Sequence, residues 1–357
     1  MSPLLTDRTR ERYPVFAELL QRPEMSGRWL ILTHDNPDPD ALAAAAVLGQ
    51  VLRRAFKRRV TTAYGGIIGR AENQEMVKVL RIKLSHVRHL NWRHYKHFAL
   101  VDTQPDTGNN QLPSDIVPDV VFDHHPVRRA TRKARFVDIR TDYGATATIL
   151  AEYQEASALE YSKQEATALV YAIRSETQDF GREFTAPDKE TFDTLFTRAD
   201  YRALARIQTP RLSLRYFKTL HHALENVEEV STLVVTHLGE IDQPDIVPEI
   251  ADLLLRLEGK TWSLCSGVFG TRLYLSIRTT NSRGDAGRLM RRLLGRMGKG
   301  GGHGMMAGGY IDLEKARNGG AESIRRRVVQ RLARALKKNP DKLTKLTFAA
   351  PSDSPPG

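Results

Sequence analysis

The chain has a single cysteine among its 357 residues, Cys265, which excludes an intrachain disulfide and any metal site built from several thiolates. Its setting, WSLCSGV, reads as a buried strand position. Long hydrophobic runs are also missing. The longest, Ala41–Leu48, falls far short of the ~20 apolar residues of a membrane span. The first residues, MSPLLTDRTRERYPVF, place charge where a secretory leader needs an apolar stretch, so a cytoplasmic protein with no membrane attachment is expected. Aromatic residues supply only 7% of the chain, and none form a stacking row beside the basic runs, which argues against tracking along a long single strand. No internal repeat is visible.

What is present is a globular composition, 41% hydrophobic and 27% charged, with a formal charge of +12. Such a surface attracts polyanions, and nucleic acid or nucleotide ligands gain weight. The length suits two cores. Short apolar runs at 28–33, 97–102 and 119–123, separated by helical patterns such as 41–56, predict a parallel sheet with crossover helices. Further helices are predicted at about 144–157, 162–174 and 187–204. A second strand–helix set begins near residue 230. The predicted organisation is an α/β protein: an extension at 1–27, a parallel-sheet domain at 28–205, a linker at 206–228, a smaller α/β domain at 229–345, and a Pro/Ser-rich disordered tail at 346–357.

Each of the first three predicted strands ends in groups able to ligate a metal. The first gives His34, Asp38 and Asp40 in HDNPDPD, the second Asp102 in LVDTQ, and the third Asp123, His124 and His125 in FDHHP. In open parallel sheets functional sites lie outside the carboxyl ends of the strands, so the three clusters can meet. Carboxylates packed together without a cation would force protons onto some of them. Mixed Asp and His donors without thiolates suit Mn²⁺, Mg²⁺, Fe²⁺ or Co²⁺, and an oxygen-rich pair of sites favours Mn²⁺. Two such ions ~3.5–4 Å apart can hold a hydroxide and clamp a phosphoryl group. Singly, each residue has a plainer reading: Asp38 or Asp40 as a helix N-cap, Asp102 as a strand end, the histidines as a polar loop.

Taken together, these residues resemble the DHH phosphoesterases: HDNPDPDAL is similar to the first family motif, VDTQ to the second, and Asp123-His124-His125 to the third. The resemblance implies two Mn²⁺ ions held by His34, Asp38, Asp40, Asp102 and His124, with Asp102 bridging. It implies that His125 faces the substrate as the catalytic imidazole. The fourth motif departs from the family pattern, since Ser175-Glu176-Thr177 stands where an aspartate is usual. Glu176 is the preferred last ligand and Asp179 its alternative.

Near the C-terminus lies GKGGGHGMMAGGYI, residues 298–311. It is not a Walker A loop, because no Ser or Thr follows Lys299. Glycine lets backbone amides approach an anion, while the plainer reading is a tight turn entering a strand. Gly300, Gly301, Gly302 and His303, with Ala307-Gly308-Gly309, resemble the signature of the C-terminal domain that accompanies many DHH domains. That resemblance implies substrate binding by the glycine segment, His303 and an arginine on a preceding strand, for which LSIRTT offers Arg278. Arg288, Arg291, Arg292, Arg296 and Lys299 precede the loop and could guide a short polyanion.

The two-domain length is most similar to the oligoribonuclease (nano-RNase)/pAp phosphatase branch. The implied activity is metal-dependent hydrolysis of short oligonucleotides to mononucleotides, and of pAp to AMP, with substrate bound between the domains. Two alternatives stay open: a phosphodiesterase for cyclic or linear dinucleotides in signalling, and a nucleotide- or RNA-binding protein inactivated by Glu176. A homodimer is equally open.

Overall fold

In the computed structural model, which describes residues 4–181, 183–281, 283–315 and 320–347, the chain divides into two units, Met1–Arg211 and Leu212–Gly357. The first is built on six parallel strands: Arg28–Leu32 (β1), Arg59–Tyr64 (β2), Ser85–His86 (β3), His97–Val101 (β4), Val120–Asp123 (β5) and Phe136–Ile139 (β6). Their spatial order is β3-β2-β1-β4-β5-β6. Strands buried on both faces read as near-continuous apolar runs, and β1 and β4 do: Trp29, Ile31, Ala99 and Val101 enter one core while Leu30, Leu32, Phe98 and Leu100 enter the other. The strand order reverses between β1 and β4, the topological switch point of a doubly wound sheet.

The helices of this unit are Asp7–Gln21 (α1), Pro39–Arg54 (α2), Ala71–Val79 (α3), Thr146–Ala156 (α4), Lys163–Glu176 (α5), Ala186–Phe196 (α6) and Tyr201–Gln208 (α7). Helix α2 is capped by Asp38, whose side chain accepts from the Ala41 amide, and has Pro39 at its first turn. Its small, fully buried Ala41, Ala43, Ala44 and Ala45 let it lie deep against α4 and α5.

The second unit runs through Leu214–Glu225 (α8), Glu228–Val230 (β7), Leu233–Glu240 (β8), Ile246–Leu255 (α9), Trp262–Phe269 (β9), Arg272–Thr279 (β10), Ala286–Leu294 (α10), Gly298–His303 (β11), Met306–Asp312 (β12), Ala321–Ala335 (α11) and Thr344–Lys345 (β13). These form a mixed sheet, β11-β12-β10-β9-β8-β7-β13, in which only the β8–β9 pair is parallel. Alternation along β10 sends Leu273, Leu275 and Ile277 toward α10 and α11, and Tyr274 into a separate core with α8 and α9. Cys265 is buried in that second core, where burial pushes its thiol pKa up.

Several boundaries differ from expectation. Residues 1–27 are no mere extension: α1 buries Phe16, Leu19 and Leu20, and Phe16 packs edge-on against Phe122 and Tyr153. The connection is shorter than 206–228: the units divide between Arg211 and Leu212, α7 runs to Gln208, and α8 already turns Ala223 and Leu220 into a core. The predicted helix at 187–204 is two helices, α7 being capped afresh by Asp200. Strands β2 and β6 were not predicted. Leu346 is no part of a disordered tail, since its amide donates to the Val227 carbonyl; residues 348–357 lie outside the described residues.

Candidate metal centre and substrate site

Three neighbouring strands, β1, β4 and β5, end at the same edge of the first sheet. His34 follows β1, Asp102 follows β4, and Asp123-His124-His125 closes β5. Asp102 is 3% exposed and adopts φ +58°, a left-handed conformation uncommon for any residue but glycine. Its Oδ2 lies 3.4 Å from His34 Nε2, and its Oδ1 lies 3.7 Å from both His124 Nε2 and His125 Nδ1. Asp38 Oδ1 sits 3.7 Å from His34 Nε2, and Asp40 Oδ2 sits 4.0 Å from His124 Nε2. Two triads able to hold a cation, His34–Asp38–Asp102 and Asp102–His124–His125, therefore share Asp102.

The plain readings of the aspartates are true as well. Asp38 caps α2 with the same Oδ1 that faces His34. Asp40 accepts from the Thr146 and Ala147 amides at 2.8 and 2.7 Å, so it holds the start of α4. One carboxylate thus joins two helices to the site.

The imidazoles are oriented by the backbone. His124 Nδ1 is 3.1 Å from the Tyr143 carbonyl, and His34 Nδ1 is 2.9 Å from the Asp35 carbonyl. A donor Nδ1–H in each case turns Nε2 toward the carboxylates, where the neutral ring presents a lone pair. His124 Nε2 is buried and makes no hydrogen bond. A lone pair among carboxylate oxygens at 3.7–4.0 Å is what a cation at ~2.0–2.2 Å from each donor would satisfy. The residues present fit a divalent metal.

The electrostatics record the same deficit. Burial first, then the charges of Asp102, Glu176 and Asp38, hold the Asp40 carboxyl well above its ordinary range. Burial would lower His34, but hydrogen bonds to Asp102 and Asp38 outweigh it and raise its pKa well above the usual value. His125 behaves likewise: burial opposes the shift, yet Asp123, Asp102 and Glu176 push it up to about 9. Glu176, at the end of α5, lies close enough to bear on Asp40 and His125. Asp179 instead turns outward, pairs with Arg174 and is 68% exposed. Of the two, Glu176 is the one whose charge bears on the cluster.

Residues without a predicted role also build this corner. Asp123 Oδ1 accepts from the His124 and His125 amides and lies 2.9 Å from His125 Nδ1, while Gln104 Nε2 donates to its Oδ2 at 2.7 Å. The Thr146 hydroxyl donates to Asp102 at 2.9 Å. The DHH triplet and VDTQ contained the signal for Asp123 and Gln104; nothing local marked Thr146.

In the second unit the glycine stretch is a strand, β11, hydrogen-bonded to β12, with Gly300 opposite Gly309 and Gly301 opposite Gly308. It is the terminal strand among the described residues, so its outer edge offers backbone groups to a ligand. Helix α10 lies so close that a Cβ on Gly287 would stand 1.9 Å from the Gly302 carbonyl oxygen, and Gly302 itself has φ +146°. Arg278 is only 8% exposed; its Nε donates to Asp252 at 2.6 Å and its Nη1 to Ser276 at 2.8 Å. Arg278 pairs across the sheet with Met306, and His303 pairs with the same residue, so both belong to one end of the hairpin. The His303 side chain lies outside the described residues.

Residues 28–173 match the DHH family, N-terminal domain, and residues 230–337 match the DHHA1 domain. The chain belongs to the DHH family. It is 36% identical over 286 residues to an uncharacterized protein of Methanocaldococcus jannaschii, across 80% of this chain and 58% of that relative. It thus spans under two thirds of that relative's length. In fold, this DHH-family chain is similar to an exopolyphosphatase-related protein from Bacteroides fragilis, with TM-score 0.73 and 15% identity over 95% of this chain and 100% of that one. It is similar also to exonuclease RecJ bound to manganese, with TM-score 0.52 and 15% identity over 94% and 97% of the two chains. RecJ from Thermus thermophilus in complex with Mn²⁺ gives 0.51 and 16% over 90% and 54%.

Proposed function

We propose that the chain is a phosphoesterase that uses two divalent ions, Mn²⁺ foremost, to hydrolyse short oligonucleotides to mononucleotides and pAp to AMP. The observation that carries this reading is the buried His124 Nε2, unbonded and aimed at Asp102 and Asp40, beside a second triad that shares Asp102. His34, Asp38, Asp40, Asp102, His124 and Glu176 would hold the ions. An oxygen-rich donor set with imidazoles suits manganese, the ion bound in the RecJ structures of like fold. When bound, such ions supply an activated water at neutral pH and neutralise charge on a phosphoryl group.

The protein's own groups do the rest. Asp123 orients the His125 ring through Nδ1 and favours its protonated form, whose Nε2–H could donate a proton to the departing oxygen. Arg278, oriented by Asp252 and Ser276, and the amides of Gly300, Gly301 and Gly302, together with His303, hold the substrate's phosphate or terminus. A basic surface, +12 overall, favours such substrates.

The test incubates the protein with Mn²⁺ and, separately, a 5′-phosphorylated RNA dinucleotide, pAp and a cyclic dinucleotide, with His124→Ala as control. Mononucleotide release from the linear dinucleotide, lost in the control, is expected. Preferred turnover of the cyclic substrate would move the protein to signalling, and no turnover with any divalent ion would leave only a binding protein.

A further inference from the structure

At the other end of the C-terminal sheet from Arg278 lies a pocket of about 780 Å³ that the proposed function does not use. Its cations come from four elements or their ends: Arg272 on β10, Arg296 after α10, Lys299 on β11 and Arg327 on α11, with Lys315 beyond β12. One carboxylate, Asp312, lines it and lies 3.7 Å from Lys315. Among the described residues no carboxylate forms a salt bridge with Arg296, Lys299 or Arg327, while Asp312, opposite Arg272 across β10–β12, answers part of the Arg272 charge. Five cations set against one carboxylate leave the concavity net positive, so it is arranged for an anion from outside. Its volume falls within the ~300–1,000 Å³ of ordinary ligand sites.

An aromatic platform accompanies the charge. The half-buried Tyr310 ring carries the Arg272 guanidinium 4.5 Å from its centroid, and Lys299 is its direct partner across β11–β12. A basic groove beside an aromatic face is the chemistry that holds single-stranded nucleic acid, phosphates on the cations and a base on the ring. Register separates this place from the glycine end. Arg272 pairs with Asp312 while Arg278, six residues along the same strand, pairs with Met306, a separation of about 20 Å at strand rise.

We propose that this pocket is a second nucleic-acid subsite, binding the phosphodiester backbone and one base of a single strand apart from the Arg278 site. The proposal concerns binding, and stands whether or not the chain hydrolyses what it binds.

Fluorescence anisotropy would follow a labelled oligouridylate of about 12 nucleotides, a length within the range of single-strand sites, binding to the full chain without metal. The variant Arg272→Gln/Arg327→Gln is compared with Arg81→Gln/Lys83→Gln, which removes equal charge from the first unit. The pocket variant is expected to lose affinity at least about tenfold and to flatten the log–log salt slope by about 1.4, two contacts at ~0.7 each. The control should lose less than about twofold. Tyr310→Leu should weaken the oligonucleotide but not inorganic polyphosphate added as competitor. Equal losses in pocket and control variants, or no binding by the unaltered chain, would overturn the subsite. Insensitivity to Tyr310→Leu would assign the pocket to a bare phosphate chain and overturn the nucleic-acid reading. Where dinucleotide turnover is measurable, the pocket variant should keep it; a parallel loss would merge the pocket with the substrate site and defeat the claim of a separate one.

Discussion

Two buried charge clusters stand in the first unit, and they are solved in opposite ways. Around Arg140, which is fully buried, Asp138 and Glu152 lie at 2.8 and 3.1 Å, Thr9 and Tyr143 add hydroxyls, and Tyr153 donates to Asp138. The cation is part of the chain and its polar atoms are answered by named partners. Around Asp102, three carboxylates and three imidazoles converge with no lysine or arginine among them, and His124 Nε2 is left without a hydrogen bond. Buried negative charge needs a counter-charge in either case. The first cluster keeps its own as structure, while the second has none of its own and, on the proposed function, takes it from a divalent ion.

That contrast is sharpest under Arg140→Met. Removing the internal cation strands Asp138 and Glu152 and should cost about 3–5 kcal/mol, read as a lowered urea midpoint. Asp102→Asn is expected to do the reverse: little or no loss of stability in metal-free protein, because one member of a like-charged cluster is gone, yet a fall in Mn²⁺-dependent turnover beyond about 10²-fold, more than groups that only support a ligand cost. A large loss of metal-free stability in Asp102→Asn would break the comparison. Adding Mn²⁺ at about 100 times its Kd should stabilise the unaltered chain by ~2.7 kcal/mol and leave Asp102→Asn nearly unmoved, which thermal or urea melts would detect.

A smaller effect separates the two acids after the fourth motif. Glu176→Gln should lower turnover about tenfold or more, about 1.4 kcal/mol at the barrier, while Asp179→Ala stays within about twofold. Smallest is an exposed pair for contrast with both clusters. The Arg325 guanidinium, with Arg326 adding to it against slight burial, holds Glu322 down to about 2. Its contribution is full above the ordinary value near 4.5 and lost as pH falls toward 2. Being half exposed, it amounts to under about 1 kcal/mol. Urea midpoints at pH 6 and pH 3.5 should differ less in Glu322→Gln than in the unaltered chain.

The strand ends of the first sheet were legible because their candidate donor groups are local in sequence. His34, Asp38 and Asp40 fall within one turn, Asp123 to His125 are consecutive, and apolar runs buried on both faces announce β1, β4 and β5. Strand β2, RVTTAY, is half polar on a partly exposed flank and gave no such run. The role of Asp40 at the start of α4 could not be read, since Thr146 and Ala147 are more than a hundred residues away. Helix α1 was underestimated for a similar reason: its anchors, Phe122, Tyr153 and Glu152, come from β5 and α4. The glycine segment was legible as a motif, but its pairing as a strand depends on Gly287 admitting α10 against Gly302.

The left-handed backbone of Asp102 has a consequence for anyone engineering this protein. That conformation costs an L-residue of order 1 kcal/mol or more, and glycine or asparagine adopts it more readily. A library sorted for heat resistance alone, with divalent metal withheld, would therefore enrich Asp102→Gly and Asp102→Asn, each relieving the strand end and, with the carboxylate, discarding the shared corner of both triads. Durability and turnover pull this one position in opposite directions, and a selection scheme must reward both to keep the aspartate.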